Sequence, residues 1–367
     1  MGYTERLEIY HKIEQARSRP LITYVTSIRP NVNAYIAGDA ISELIKQINL
    51  IPPKETAVDF LVISNGGDAI AAARIISLLR ERFEKIAVLI PYVAYSAATL
   101  LAMGADEIIM HPYSNLGPVD PQLTVIRKSG DGNIDSINYG AEDLRNYFNF
   151  VRQDVGISDQ EQMTRAFEML CAETGPIPIG IAKRSTQLSL ALGEKLLSLH
   201  MKDNSKAKAI TETLSLSYHH HGYPLGRTDA EKVGLPVKKP SDEIDHLMWG
   251  IWENFQEEML CDTAFNPLEI VLNSRSAEIL LAPTPQVFVP LNLPPSLASA
   301  ALQHILQTIT VQDVMPVDYE LLLSTMESTR CRSENRVKGK ILATRLPDLN
   351  IRINLVQLSQ GWTYFKN

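Results

Sequence analysis

An α/β fold with a parallel sheet is predicted by three observations. Short apolar runs at residues 60–63, 86–90 and 107–110 alternate with segments of helical composition. Two special turns, Asn65-Gly66-Gly67-Asp68 and Tyr95-Ser96-Ala97-Ala98, fall where successive runs give way to helices. A proline-bounded loop, Gly117-Pro118-Val119-Asp120-Pro121, follows the third run. Strands alternating with helices build a parallel sheet whose ligands sit outside the carboxyl ends of the strands. Both special turns lie at such ends.

The elements follow in order. Residues 5–17 read as an amphipathic helix with Ile9, Tyr10, Ile13 and Ala16 near one face, and Pro20 ends it. Residues 21–27, rich in β-branched and aromatic side chains, read as a strand. Residues 39–48 are expected to be helical with Asp39 as N-cap, broken at Ile51-Pro52-Pro53. The central stretch then supplies strand 60–63, helix 69–82, strand 86–90 ended by Pro91, a helix opened by Ser96, and strand 107–110. Residues 124–126 and 137–139 read as short strands around the polar turn 129–133. Helices are expected at 141–155, 158–174 and 179–201, and the stripe Met163, Phe167 and Leu170 reads as core. A histidine run, His219-His220-His221, precedes Gly234-Leu235-Pro236-Val237. Residues 242–259 form an amphipathic helix whose Trp249 and Trp252 offer a packing or subunit face. The pattern changes near residues 261–267, dividing the chain into 1–262 and a smaller α+β part, 263–367. In that part a hairpin is expected around Asn273-Ser274-Arg275-Ser276, a proline-rich stretch at 283–295, helices at 296–310 and 319–329, and a hairpin from 338–345 to 351–358.

Composition bounds the function. A length of 367 residues with 45% hydrophobic and 21% charged residues fits a globular protein of two domains. The net charge of −7 argues against nucleic acid as the main partner. Cys171, Cys261 and Cys331, odd in number and widely spaced, form neither a zinc pattern nor a disulfide framework, which fits a reducing cytoplasm. No apolar run reaches the roughly 18 residues of a membrane span, and the charged N-terminus has no signal-peptide core, so no membrane anchor is expected.

The turns suggest chemistry. A serine at a helix's first turn lies among unpaired N–H groups and the positive end of the dipole. If Ser96 Oγ attacks a carbonyl, the oxyanion needs preorganised donors. The N–H of Ala97 is one candidate, and the Gly66-Gly67 turn, lacking Cβ atoms, offers another. The alternative is an ordinary turn beside an N-capping serine; two such features on successive strand ends favour a site.

Together, Asn65-Gly66-Gly67-Asp68, Ser96-Ala97-Ala98-Thr99 and Gly117-Pro118-Val119-Asp120-Pro121-Gln122 resemble the Clp-protease/crotonase superfamily. They are most similar to the serine dehydrogenase proteinase family, relatives of signal peptide peptidase A. The resemblance runs loosely from residue 20 to about residue 237. It implies a Clp/crotonase-like core of repeated β-α units with an α+β C-terminal appendage, no cofactor, a protein or peptide substrate, and a homo-oligomer. It also implies that Ser96 is the nucleophile and the Gly-Gly turn an oxyanion donor.

For the base, adjacent histidines rarely converge on one metal, so no metal site is expected. Clp proteases carry a histidine where Asp120 stands here, and their acid near residues 219–221. An exchanged arrangement follows, with His219, His220 or His221 as base and Asp120 as its orienting acid; a triad is defined by geometry rather than chain order. Signal peptide peptidase A relatives use lysine instead, which makes Lys128 and Lys183 alternatives if burial lowers their pKa. Asp120 could otherwise merely cap its turn. A cytoplasmic serine peptidase is the reading carried forward. Its competitors are a catalytically silent, partner-binding scaffold and an acyl-CoA enzyme of the crotonase type.

Overall fold

The computed structural model describes residues 2–128, 134–218, 220–282, 294–308, 312–346 and 350–366. The chain runs α1 (Tyr3–Arg17), β1 (Leu21–Thr26), α2 (Ala40–Asn49), β2 (Ala57–Ile63), α3 (Ala69–Arg82), β3 (Lys85–Ile90), β4 (Val93–Ala94), α4 (Ala97–Met103), β5 (Glu107–Met110) and β6 (Asn115–Leu116). It continues through β7 (Gln122–Lys128), β8 (Ile134–Gly140), α5 (Ala141–Asn149), a π turn at Phe150–Asp154, α6 (Gln160–Thr174), α7 (Pro176–Ser198), α8 (Asn204–Leu216), β9 (Leu225–Gly226), α9 (Arg227–Val233) and β10 (Val237–Lys238). Then come α10 (Asp242–Glu258), α11 (Pro267–Leu272), α12 (Ala277–Leu280), α13 (Pro295–Thr308), β11 (Gln312–Asp313), β12 (Val317–Glu327), β13 (Cys331–Arg345) and β14 (Ile351–Lys366).

The α/β class predicted from the alternating runs is the architecture found. Strands β10, β5, β3, β2 and β1 lie side by side, all parallel. Their apolar side chains fill both faces of the sheet, as parallel strands covered by helices require. On one face Phe60, Val62, Val88 and Ile90 pack against α2, α3 and α4, through Leu44, Ile75, Ile76 and Leu101. On the other, Leu61, Ile63 and Leu89 meet α1 and α10, through Tyr10, Ile13, Met248 and Phe255. Each such side chain removed from water contributes about 1.5–3 kcal/mol.

The C-terminal segment joins this sheet instead of forming a separate layer. Strand β12 pairs antiparallel with β1, β13 with β12, and β14 with β13. A buried charge cluster fastens the junction. The guanidinium of Arg6 on α1 donates from Nε and Nη2 to both carboxylate oxygens of Glu327 on β12, at 3.0 and 2.7 Å, and Tyr10 Oη donates to the same carboxylate at 2.8 Å. Arg6 and Glu327 are 1% and 0% exposed, so neither charge is solvated except by its partners. Tyr10 and Ile13 lie on the inner face of α1 as its amphipathic pattern predicts, Ile9 is half-buried and Ala16 exposed, and the inner face also carries this arginine.

Several expectations about local structure are corrected. The helix expected at 319–329 is strand β12: its Leu-, Met- and Glu-rich composition favours helix, and pairing with β1 and β13 overrides that weak preference. The hairpin expected around Asn273 is the pair of short helices α11 and α12; Asn266 accepts from Glu269 N–H and Pro267 stands at the first helical position, which together start a helix. Asp39 stands at the N-cap position of α2 as expected, but its side chain makes no cap hydrogen bond. Its Oδ2 instead accepts from Asn335 and Trp362, tying α2 to the C-terminal strands. The strands around 129–133 are present and longer than expected, while the turn itself lies outside the described residues. The same holds for 283–293 of the proline-rich stretch and for 309–310, beyond the end of α13. Of the two roles open to the tryptophan face of α10, packing or subunit contact, the structure shows packing within the chain: Trp252 stacks on Tyr92 at 4.2 Å and Trp249 on His111 at 4.9 Å.

Candidate active site

Above the carboxyl ends of the parallel strands, a second small sheet brings three distant loops together. Strand β4 pairs with β6, and β6 with β9. Ser96 follows β4 by two residues, Asp120 follows β6 by four, and His221 precedes β9 by four. Isolated bridges extend the arrangement, Ser64 beside Ala94 and Ile36 beside Gly67. A cavity of about 480 Å³ opens beside this layer, and Ser96, Ala97, Gly67, Asp120 and His221 all line it.

Ser96 sits in an unusual backbone state, φ 51° and ψ −115°, immediately before α4. A non-glycine residue held there is strained, and such strain persists only where the surroundings impose it. The turn resembles a nucleophile elbow, which lifts a side chain out of the strand-to-helix bend. The capping alternative is not what the geometry provides, since the Ser96 side chain makes no cap hydrogen bond. Its neighbour Gly66 has φ 109°, and a Cβ there would lie 2.8 Å from both Ser96 Cβ and Tyr95 O. Only glycine fits that contact.

The two glycines prove unequal. Gly66 N–H donates to the buried Ser64 Oγ at 3.0 Å, so it is already committed. Ile36 N–H donates to Gly66 O and Asp68 N–H to Ile36 O, both at 2.8 Å. In such a parallel bridge the groups flanking Gly67 point at Ile36, and Gly67's own N–H points the other way. Among the described residues neither Gly67 N–H nor Ala97 N–H has a hydrogen-bond partner. Gly67 and Ala97 thus keep free N–H groups facing the cavity, whereas the Gly66 N–H is taken by Ser64, the residue that holds the turn. Thr26 Oγ1 donates to Ser64 Oγ at 2.8 Å and braces it from β1.

The histidine run resolves into unlike residues. His221 Nδ1 lies 2.8 Å from Asp120 Oδ1. A carboxylate only accepts, so Nδ1 carries the proton and Nε2 of the neutral ring is left as an acceptor. His220 is exposed and turns inward on its own loop, accepting from Gly222 N–H at 3.0 Å. His219 lies outside the described residues. Of the lysines, Lys183 is exposed and lines a different cavity between α5 and α7, which removes both the proximity and the burial that its role required. The Lys128 side chain is outside the described residues.

Asp120 is 8% exposed and does not cap its turn; its other oxygen accepts from Gln122 Nε2 at 2.7 Å. The loop carrying it is pinned from four sides. Thr99 on α4 donates to Gly117 O and accepts from Gly117 N–H, Ser189 on α7 donates to Val119 O, Leu214 O accepts from Val119 N–H, and Pro121 O accepts from Ala141 N–H. These polar residues inside helices carried no sequence signal beyond being hydroxyls on otherwise apolar faces. No group of three or more His, Cys, Asp or Glu among the described residues is placed to hold a metal ion.

Residues 3–130 match the model of the ClpP-like SDH-type serine proteinases. The uncharacterized protein MJ1495 of Methanocaldococcus jannaschii is 27% identical over 239 residues, covering 64% of this chain and 71% of that protein. MJ0137 of the same organism is 32% identical over 124 residues; the match spans 32% of this chain and 43% of that relative's length. Among solved structures, a mutant of the 1510-N membrane-bound stomatin-specific protease aligns over 62% of this chain and 83% of its own, at 16% identity and a TM-score of 0.36. No helix among the described residues is long and apolar enough to cross a membrane.

Proposed function

With residues 3–130 matched to the ClpP-like SDH-type serine proteinase family, and the chain therefore a serine peptidase in general terms, we propose that Ser96, His221 and Asp120 form its catalytic triad. Ser96 Oγ attacks the scissile carbonyl of a protein or peptide while His221 Nε2 takes its proton. Asp120 holds the imidazole in the required tautomer and stabilises the imidazolium. The oxyanion meets the N–H groups of Gly67 and Ala97. The imidazolium then gives its proton to the leaving amine, an acyl-enzyme remains on Ser96, and a water deprotonated by His221 releases the product. No cofactor enters this scheme.

The observation that carries the reading is the meeting of the strained Ser96, the His221–Asp120 pair and the uncommitted Gly67 N–H around one cavity. A silent scaffold gives no reason to hold Ser96 at positive φ, and a crotonase-type acyl-CoA enzyme uses an acid where the nucleophile stands. A serine-reactive fluorophosphonate is expected to label the protein at Ser96 and to label the Ser96→Ala variant not at all. Equal labelling of the variant, with its peptidase activity intact, removes Ser96 from the mechanism.

Cytoplasmic placement and a homo-oligomer belong to the same proposal. One apolar surface available for assembly lies on the segment from the π turn into α7, where Phe150, Met169 and Ile177 are exposed. Sedimentation over a wide concentration range is expected to show an assembly; a monomer throughout counts against it.

A further inference from the structure

We propose that Gln122 is a positioning residue for the Asp120–His221 pair, its side-chain amide fixing the plane of the Asp120 carboxylate so that one oxygen faces the imidazole. This inference rests on the triad reading above. A carboxylate torsion is broad and roughly two-fold, so a single hydrogen bond leaves it free to swing. Here the two oxygens have different partners: Oδ1 meets His221 Nδ1 at 2.8 Å, and Oδ2 accepts from Gln122 Nε2 at 2.7 Å.

Gln122 is itself held. It is the first residue of β7 and pairs with Gly140 at the base of the β7–β8 hairpin. A Cβ on Gly140 would come within 3.3 Å of Gln122 Nε2 and 3.8 Å of Asp120 Oδ2, so the absence of a side chain there makes room for the amide over the carboxylate. The hairpin reaches the chemistry through this contact.

An amide suits the task better than a cation. A lysine or arginine on Oδ2 would also hold the carboxylate, but it would neutralise the charge that His221 needs when protonated. An amide orients without adding charge. Among the described residues, no lysine or arginine bonds to Asp120. The charged groups around the pair are acidic. Asp68 shares the cavity, and Glu142 and Asp143 begin α5. Glu142 is pushed up by burial, with Asp120 among the charges adding to that shift, and Arg145 is engaged with Glu142.

The experiment compares Gln122→Leu and Gln122→Glu with His221→Gln and the parent on one peptide substrate, recording kcat, KM, the pH profile and thermal unfolding. Gln122→Leu is expected to lower kcat about 10- to 100-fold, the loss of one hydrogen bond to a charged group, with KM within about twofold. Gln122→Glu, near-isosteric, places a second carboxylate beside Asp120; the acid limb of the profile is expected to move up by about one pH unit or more, because imidazolium is further stabilised. If His221→Gln is inactive while both Gln122 variants keep the parent kcat and pH limb, Gln122 does not position the pair although the triad stands. A lowered kcat with an unmoved limb in Gln122→Glu marks a merely structural role and also overturns the proposal. If His221→Gln retains full activity, the triad falls and this inference with it.

Discussion

The sheet has two halves that solve the same problem differently. In the parallel half, β1, β2, β3 and β5 are buried along nearly their whole length, with helices on both faces. In the antiparallel half, β14 is a 16-residue strand exposed at almost every position and paired only with β13. The residues that line the candidate active-site cavity come from the parallel half and from the segments inserted between its strands, the β7–β8 hairpin and α7 among them; none comes from β11 to β14. The reason is topological. Parallel strands need long crossovers, so their carboxyl ends and the loops leaving them collect on one edge. The antiparallel strands β12 to β14 put alternate turns at opposite ends and bring no side chain to the cavity. The C-terminal half is joined through pairing with β1 and the Arg6–Glu327 cluster, a structural junction that contributes no residue to the cavity lining.

That contrast can be broken at either end. The largest effect is expected at the catalytic edge: His221→Gln should cost at least ~10²-fold in turnover as a lost general base, and Asp120→Asn should be comparably costly. His220→Gln, on the same loop, should stay within a few-fold of the parent. A loss at His220 with His221 spared would reverse the assignment. The next effect belongs to the junction. Arg6→Ala leaves Glu327 buried and unpaired, which should cost about 3–5 kcal/mol in urea unfolding. Activity per folded molecule should be unchanged, because no cavity residue touches that cluster. If activity falls as steeply as stability, the two halves are functionally coupled and the contrast fails.

The smallest effect concerns pH. His200, whose Nε2 meets Met103 O at the end of α4, and His111, stacked on Trp249, both have pKa values lowered from 6.5, chiefly by burial. Folding therefore favours their neutral forms. Their contribution is fully present above about pH 6.5, where both states are neutral, and is lost as pH falls through that value toward the lower folded pKa values, because the unfolded chain binds protons first. The melting temperature should drop by about a degree or two across that window. Replacing His200 by glutamine should flatten the slope; an unchanged slope would place the sensitivity elsewhere.

Much of the parallel half was legible because its signals are local. Apolar runs of strand length, Asp68 before α3 and the Gly-Gly and Ser-Ala-Ala turns all act within a few residues of themselves. Ser96, Ala97 and the Gly66-Gly67 pair could be nominated on those grounds, and Asp120 through the family resemblance. The antiparallel half was misread at β12 because its side chains suit a helix and only the edge of β1 makes them a strand. Arg6 was invisible for the same reason: a charged residue on an amphipathic helix is normally solvated, and nothing local announces a carboxylate 321 residues away.

The amino-acid sequence by itself determined the α/β class, the parallel central strands and the two turns at their ends, since these follow from side-chain periodicity and from glycine's freedom. Tertiary structure alone decided which histidine meets Asp120, which glycine keeps its N–H uncommitted, and where Lys183 points. Each of those depends on what stands opposite, and the small sheet of β4, β6 and β9 joins segments more than a hundred residues apart. Local pattern selects candidates. The pairing of distant loops chooses among them, because a hydrogen bond requires its partner within about 3 Å and the order of residues along a chain does not encode that distance.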